Sequence, residues 1–208
     1  EEPDNECRED LGDEELRRAD RRHLELLDRA QLSEHVRMLD LGSTVDGRDL
    51  NMLVIGEPAE GKKKVWVIAR QHPGETMAEF LVEGLLARLL DDEDPVAREL
   101  RKRATFYVVP NMNPDGSRRG HLRTNAAGAN LNREWLEPTM ERSPEVFLVL
   151  SRMRKTGVDF ALDVHGDELA FDFTGSDPQV HTFTGQELGQ PGQIALGGVR
   201  MITIYRTT

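Results

Sequence analysis

The chain has 208 residues and a formal net charge of −11 at pH 7, enough for one domain with its own core and too acidic for a nucleic-acid partner, whose phosphates require a basic patch. No apolar run approaches the roughly 20 residues that span a bilayer and no signal-peptide pattern opens the sequence, so no membrane partner is expected. Cys7 is the only cysteine, which excludes an internal disulfide and, with the composition, points to a cytoplasmic protein.

Much of the negative charge lies in residues 1–15, read as a solvated acidic tail. A helix is expected over 14–30. Strands over 36–42 and 50–56 flank Asp46-Gly47, a turn dipeptide, and should pair as a hairpin. Residues 64–70 form a short, β-branched apolar run suited to a buried strand, whereas 75–90 is long and amphipathic, as a helix should be. That helix is expected to turn Met77, Phe80, Leu81, Leu85 and Leu89 to the sheet and Glu79, Glu83 and Arg88 to water. Further strands are expected over 105–109 and 158–164. A helix over 143–155 should open with Ser143 as its cap and Pro144 in its first turn. Alternating strands and helices imply an α/β fold with a mixed, partly parallel central sheet flanked by helices.

Between the strand at 64–70 and its helix lies Gln71-His72-Pro73-Gly74-Glu75, a strand-to-helix turn. In open α/β sheets, ligands collect beyond the carboxyl ends of strands, where this turn sits. His165 ends the strand at 158–164 in the same way, within Asp163-Val164-His165-Gly166. Two imidazoles and one carboxylate are the protein ligands of many catalytic zinc ions, which keep a further position for water. His72, Glu75 and His165 fit that set. The H-x-x-E spacing occurs again at His165/Glu168, but only the first pair has the strand-turn-helix context, and Glu168 gains no support as a ligand. His23, His35, His121 and His181 are read as surface or structural residues.

Residues 110–135 read as one long connection, dense in Asn, Arg and Gly: Asn113-Pro114-Asp115-Gly116, then Leu122-Arg123-Thr124-Asn125, then Asn130-Leu131-Asn132-Arg133-Glu134-Trp135. Connections this long without elements of their own are usually functional. Arg118, Arg119, Arg123 and Arg133 form a basic cluster in an acidic chain and suit an anionic ligand. Arg133 can grip a carboxylate in bidentate fashion, with Asn132 adding a donor.

Taken in order, His72-Pro73-Gly74-Glu75, Asn113-Pro114-Asp115-Gly116, Arg123, Asn130-Leu131-Asn132-Arg133 and Asp163-Val164-His165-Gly166 resemble the zinc carboxypeptidase family, in its cytosolic carboxypeptidase-like branch of bacterial type. The resemblance covers roughly residues 20–175. It implies an α/β/α sandwich in which His72, Glu75 and His165 bind one Zn2+. It further implies that Arg123 stabilises the oxyanion of the scissile carbonyl, and that Asn132 with Arg133 holds the terminal carboxylate of a peptide or protein C-terminus. The implied activity is a zinc metallocarboxypeptidase, removing the last residue of a peptide or protein tail.

Two departures accompany the resemblance. The family often has an aspartate where Asn130 stands, orienting the first histidine ligand; the asparagine oxygen can accept the same hydrogen bond without the charge. The family's general base is a glutamate far downstream of the last histidine, and here the only glutamate beyond Glu168 is Glu187, in a Gly-rich stretch without strand character, so the role is not carried to it. The organisation expected is therefore an acidic tail over 1–15, a partial catalytic domain over 16–176, incomplete at its C-terminal end, and a divergent Gly-rich tail over 177–208. The small β-rich domain that precedes the catalytic one in this branch is also not expected here. Two other readings stay open: a zinc-dependent deacylase or amidase on the same scaffold, and a non-catalytic module that binds zinc and a C-terminus.

Overall fold

The structure, a computed structural model, describes residues 13–166, 169–171, 194–196 and 200–201, with side chains from 21 to 166. The elements in chain order are α1 (Asp13–Gln31), β1 (Val36–Ser43), β2 (Asp49–Ile55), β3 (Lys63–Ala69), α2 (Met77–Leu89), α3 (Pro95–Arg103), β4 (Ala104–Val109), α4 (Pro114–Arg119), α5 (Pro144–Thr156), β5 (Phe160–His165), β6 (Leu169–Phe171), β7 (Ile194–Leu196) and β8 (Arg200–Met201). A single 3-10 turn, Leu131–Arg133, lies between α4 and α5.

The main sheet has the order β1-β2-β4-β3-β5-β8. Both neighbours of β3 are parallel to it, while the β1–β2, β2–β4 and β5–β8 pairs are antiparallel. The sheet is thus mixed, with a parallel centre. β6 and β7 pair separately.

Alternation along the strands divides the core into two layers. On one face Leu53, Ile55, Val67, Ala69, Phe106, Val108 and Val164 pack with Ala78, Val82, Leu86 and Leu89 of α2 and Leu26, Leu27 and Ala30 of α1. On the other, Met52, Val54, Trp66, Ile68, Tyr107, Val109 and Ala161 pack with Val146 and Val149 of α5 and with Met112 and Leu131. Trp66 and Tyr107 stack there at 5.0 Å between ring centroids. The chain runs from β3 to β4 over the first face and from β4 to β5 over the second. The carboxyl ends of the adjacent parallel strands β3 and β5 lie side by side at one end of the sheet, the end beyond which α/β sheets present their sites.

Several elements differ from the sequence-based expectation. The tail boundary at residue 15 falls inside α1, which begins at Asp13. The helix after β3 starts at Met77, and its buried face is rotated: Glu79 is buried and Phe80 is 49% exposed. The cause is α1, which covers α2 on the side assigned to water. Across that contact His23 hydrogen-bonds Glu79 at 2.6 Å, Arg22 and Arg29 each pair with Glu83 at 2.5 Å, and the Arg22 guanidinium lies 3.7 Å above the Phe80 ring. Helix α3 was not expected, although Asp94-Pro95 is a legible start: the Asp94 carboxylate accepts from the Val96 and Ala97 amides. The connection over 110–135 is not free of structure. Asn113 caps α4 through the Gly116 amide, Pro114 fills its first turn and Gly120, at φ 69°, ends it. Asp115 on α4 accepts from the Thr44 hydroxyl at 2.8 Å and the Asp46 amide at 2.9 Å, which hangs the β1–β2 turn on this helix.

Ser143 and Pro144 open α5 as expected, but the Ser143 side chain makes no cap hydrogen bond. Near it Glu145 is fully buried, with Oε2 accepting from Asn125 Nδ2 at 3.1 Å. Burial, reinforced by the negative charges of Asp115 and Asp46, raises its carboxyl from 4.5 to about 7. The unfolded chain ionises this group at its ordinary value, so stability is unaffected below pH 4.5 and falls as pH rises from 4.5 to about 7. A shift of this size corresponds to about 3 kcal/mol. Glu145→Gln should remove that slope and raise the urea midpoint at pH 8. Parallel pH profiles for the two proteins would contradict the assignment.

Candidate metal centre

The turn after β3 is shaped by close packing and by one strained residue. Arg70 adopts φ 59°, a left-handed conformation that is uncommon outside glycine and costs of order 1–3 kcal/mol when imposed on another residue. Its buried guanidinium spans the turn, donating from Nε to the Pro73 carbonyl at 3.1 Å and from Nη1 to Glu79 Oε2 at 2.7 Å. Gly74 and Gly116 allow the turn and α4 to touch. A Cβ on Gly74 would lie 2.7 Å from Leu122 Cδ1, and one on Gly116 2.5 Å from both Pro73 Cγ and the Thr124 carbonyl oxygen. The Gly74 amide donates to the Leu122 carbonyl at 3.0 Å, so the segment carrying Arg123 runs directly alongside the turn.

His72, Glu75 and His165 converge, each offering one ligand atom, and these atoms lie within 4.8 Å of one another. All three residues are buried. His72 Nδ1 faces Glu75 Oε1 at 2.7 Å and His165 Nδ1 faces Glu75 Oε2 at 2.8 Å, so both imidazoles turn the same nitrogen to one carboxylate. The rings are 4.9 Å apart. Their outer nitrogens each have an acceptor: His72 Nε2 meets Asn130 Oδ1 at 3.0 Å, and His165 Nε2 meets Asp163 Oδ2 at 3.0 Å. Such partners hold each ring with its Nδ1 directed inward, the orientation metal-binding histidines require. A cation placed among the three would take over interactions that they make with each other. The donor set and its supports therefore fit one divalent ion.

The electrostatics agree. Burial pushes the Glu75 carboxyl up, but hydrogen bonds and charge from His165 and His72 outweigh it and bring it to about 2. Burial draws the His165 imidazolium down, but the Asp163 and Glu75 carboxylates outweigh it and lift it to about 10. Without metal, the cluster keeps a proton that an entering cation must displace, so uptake should strengthen with pH.

The other expected residues are distributed unevenly. Asn130, supporting His72, also caps the 3-10 turn that carries Asn132 and Arg133; both therefore lie within three residues of a group bonded to the cluster. Arg123 follows Leu122, whose carbonyl receives the Gly74 amide. The side chains of Arg123, Asn132 and Arg133 are exposed and make no hydrogen bond or ion pair among the described residues. Arg119, read as part of the same basic cluster, is instead committed to Asp46 at 2.6 and 2.8 Å. His23, His35 and His121 all make hydrogen bonds remote from the cluster. Glu168, Glu187 and His181 lie outside the described side chains. Sequence reasoning missed three supporting residues: Arg70, Gln71 and Asp163. Their signal was burial of polar groups beside the motif, which no single spacing reveals.

A family model described as zinc carboxypeptidase matches residues 24–147. An uncharacterised protein of Zymomonas mobilis is 59% identical over 147 residues, covering 71% of this chain and 38% of that protein. Mouse cytosolic carboxypeptidase 6 is 35% identical over 136 residues, covering 60% of this chain and 25% of its own length. Among solved structures, a metallo-carboxypeptidase from Pseudomonas aeruginosa in complex with (2-guanidinoethylmercapto)succinic acid superposes with a TM-score of 0.68 at 51% identity, covering 71% of this chain and 39% of that one. The chain thus spans well under half the length of each of these relatives.

Proposed function

Since the chain belongs to the zinc carboxypeptidase family, we propose that it carries that family's metal centre and acts in hydrolysis of the C-terminal peptide bond of peptides or protein tails. The observation that carries this reading is the convergence of the His72, Glu75 and His165 ligand atoms at the carboxyl ends of adjacent parallel strands. Bound there, zinc supplies a Lewis acid for the carbonyl and a water whose pKa falls to about 7.

The chain's own residues do the rest. Asn130 and Asp163 hold the two imidazoles in register. Arg123, an exposed cation on the segment beside the turn, stabilises the oxyanion that develops on the scissile carbonyl, where a donor held in place is typically worth about 3 kcal/mol of barrier. Arg133 and Asn132, unengaged by other side chains, take the terminal carboxylate, and this clamp restricts cleavage to a chain end. The base that takes the proton from water is not assigned among the described residues.

The cytoplasm is the proposed location, in keeping with the relatives named cytosolic carboxypeptidases; among the described residues no helix is long and apolar enough to cross a membrane. The test is incubation of the zinc-loaded protein with unblocked peptides, followed by mass spectrometry. Successive loss of single C-terminal residues, stopped by a chelator, is expected. Full zinc occupancy with no release, together with tight binding of the same peptides, would replace the hydrolase with a binding module. Release of an N-acyl group instead would favour a deacylase.

A further inference from the structure

One chain of hydrogen bonds connects the segment that carries Asn132 and Arg133 to the far side of the metal cluster. Trp135 Nε1 donates to Gln71 Oε1 at 2.8 Å, Gln71 Nε2 donates to Asp163 Oδ2, and that same oxygen faces His165 Nε2 at 3.0 Å. Gln71 is fully buried and Asp163 nearly so. The chemistry of the groups orders the chain in one direction. An indole N–H can only donate, so Gln71 must present its oxygen to Trp135 and its amide nitrogen to Asp163. A carboxylate only accepts, so His165 carries a proton on Nε2 toward Asp163, and Nδ1, which faces Glu75, is the nitrogen that a cation would take in exchange for a proton. The Gln71 backbone is fixed as well, its carbonyl accepting from Asn113 Nδ2 at 3.0 Å. Gln71 adjoins His72 in sequence yet acts on His165.

We propose that Gln71 is a positioning residue that couples the seating of the 131–135 segment to the orientation of His165. Trp135 sets the amide, the amide sets Asp163, and Asp163 sets the imidazole. When the segment moves as it engages a chain end, the movement reaches the third ligand through this path, and occupancy of the metal centre reaches the indole in return. Trp135 is placed to register the event, because its ring also lines an apolar cavity of about 390 Å³ with Ile68, Leu150, Met153 and Val158. The proposal rests on the metal centre described above.

The test uses the full chain with Gln71→Met, Trp135→Phe and the double variant. Zinc dissociation constants are measured by chelator competition, the cobalt(II)-substituted visible spectrum reports ligand geometry, and circular dichroism checks the fold. Gln71→Met should weaken zinc about 10-fold or more, the lower end for groups that orient a ligand, and should alter the cobalt spectrum. Trp135→Phe, which removes one half-buried hydrogen bond, should weaken zinc by a smaller factor with the fold intact. The double variant should be no weaker than Gln71→Met alone, since both act along one path. Wild-type tryptophan emission should change on zinc addition, and the change should be absent in Trp135→Phe. Additive losses in the double variant, or wild-type zinc affinity and cobalt spectra in both single variants, would overturn the coupling while leaving the metal centre in place. A wild-type chain that takes up no zinc would overturn the metal centre itself and the coupling with it.

Discussion

Replacing His72 with alanine should abolish tight zinc binding, dropping the metal content after dialysis from about one ion per chain to nearly none. Three ligands are the minimum for a catalytic zinc site, and here each one is also the partner of another: the Glu75 carboxylate is shared between His72 and His165. Removing one imidazole therefore releases a ligand and loosens the carboxylate that orients the remaining one. The loss should exceed the roughly 10–100-fold seen when a merely supporting group is removed. Stability gives a second readout. Zinc at 100 times its dissociation constant adds about 2.7 kcal/mol to a fold that binds it and to no other state, so the wild-type melting temperature should rise with added zinc and that of His72→Ala should not. Elemental analysis finding zinc at full stoichiometry in the variant would sink the ligand assignment.

The second large effect is expected from Arg133→Ala, which should leave zinc content and melting temperature unchanged and weaken capture of a C-terminus about 10- to 150-fold. The reasoning starts from exposure: the Arg133 side chain supports no other part of the described structure, so its removal costs the fold little. A charge-assisted bidentate hydrogen bond to a carboxylate contributes about 1.5–3 kcal/mol, which gives the range. Arg133→Lys should recover only part, because an ammonium lacks the planar fork. Titration calorimetry of the zinc-loaded protein with a short peptide and its C-terminal amide would decide the matter. Wild type should prefer the free acid and Arg133→Ala should not; equal affinity for acid and amide in wild type would remove the clamp from the mechanism.

How far the sequence alone reached depended on whether the relevant physics was local. Strands β3, β4 and β5 were legible because short β-branched apolar runs have few other places to go, and the motif residues fell at their carboxyl ends for the same reason. The face of α2 was misjudged because its apolar pattern is broad, and the choice among faces was made by α1, whose contacts through His23, Arg22 and Arg29 come from more than fifty residues away. Asp94-Pro95 was a local signal that went unread. The site divided along the same line: His72, Glu75 and His165 stood out by residue type and position, and the support of His72 by Asn130 followed from the family resemblance, whereas Gln71 and Asp163 become recognisable only once two strands lie side by side.

The parallel pairing of β3 with β5 sets when the centre can exist during folding. His72 and Glu75 are separated by a single turn, but His165 is 93 positions beyond His72, after β4, α4 and α5 have been laid down. Contacts of such long sequence separation are paid for in loop-closure entropy before they return anything, and they form late. A chain emerging from the ribosome holds a two-ligand half-site while α2, α3, β4, α4 and α5 are made, too few ligands to retain a metal firmly. Zinc is therefore acquired only once β5 has joined β3 and cannot act as the nucleus of the sheet, and its uptake marks the arrival of β5.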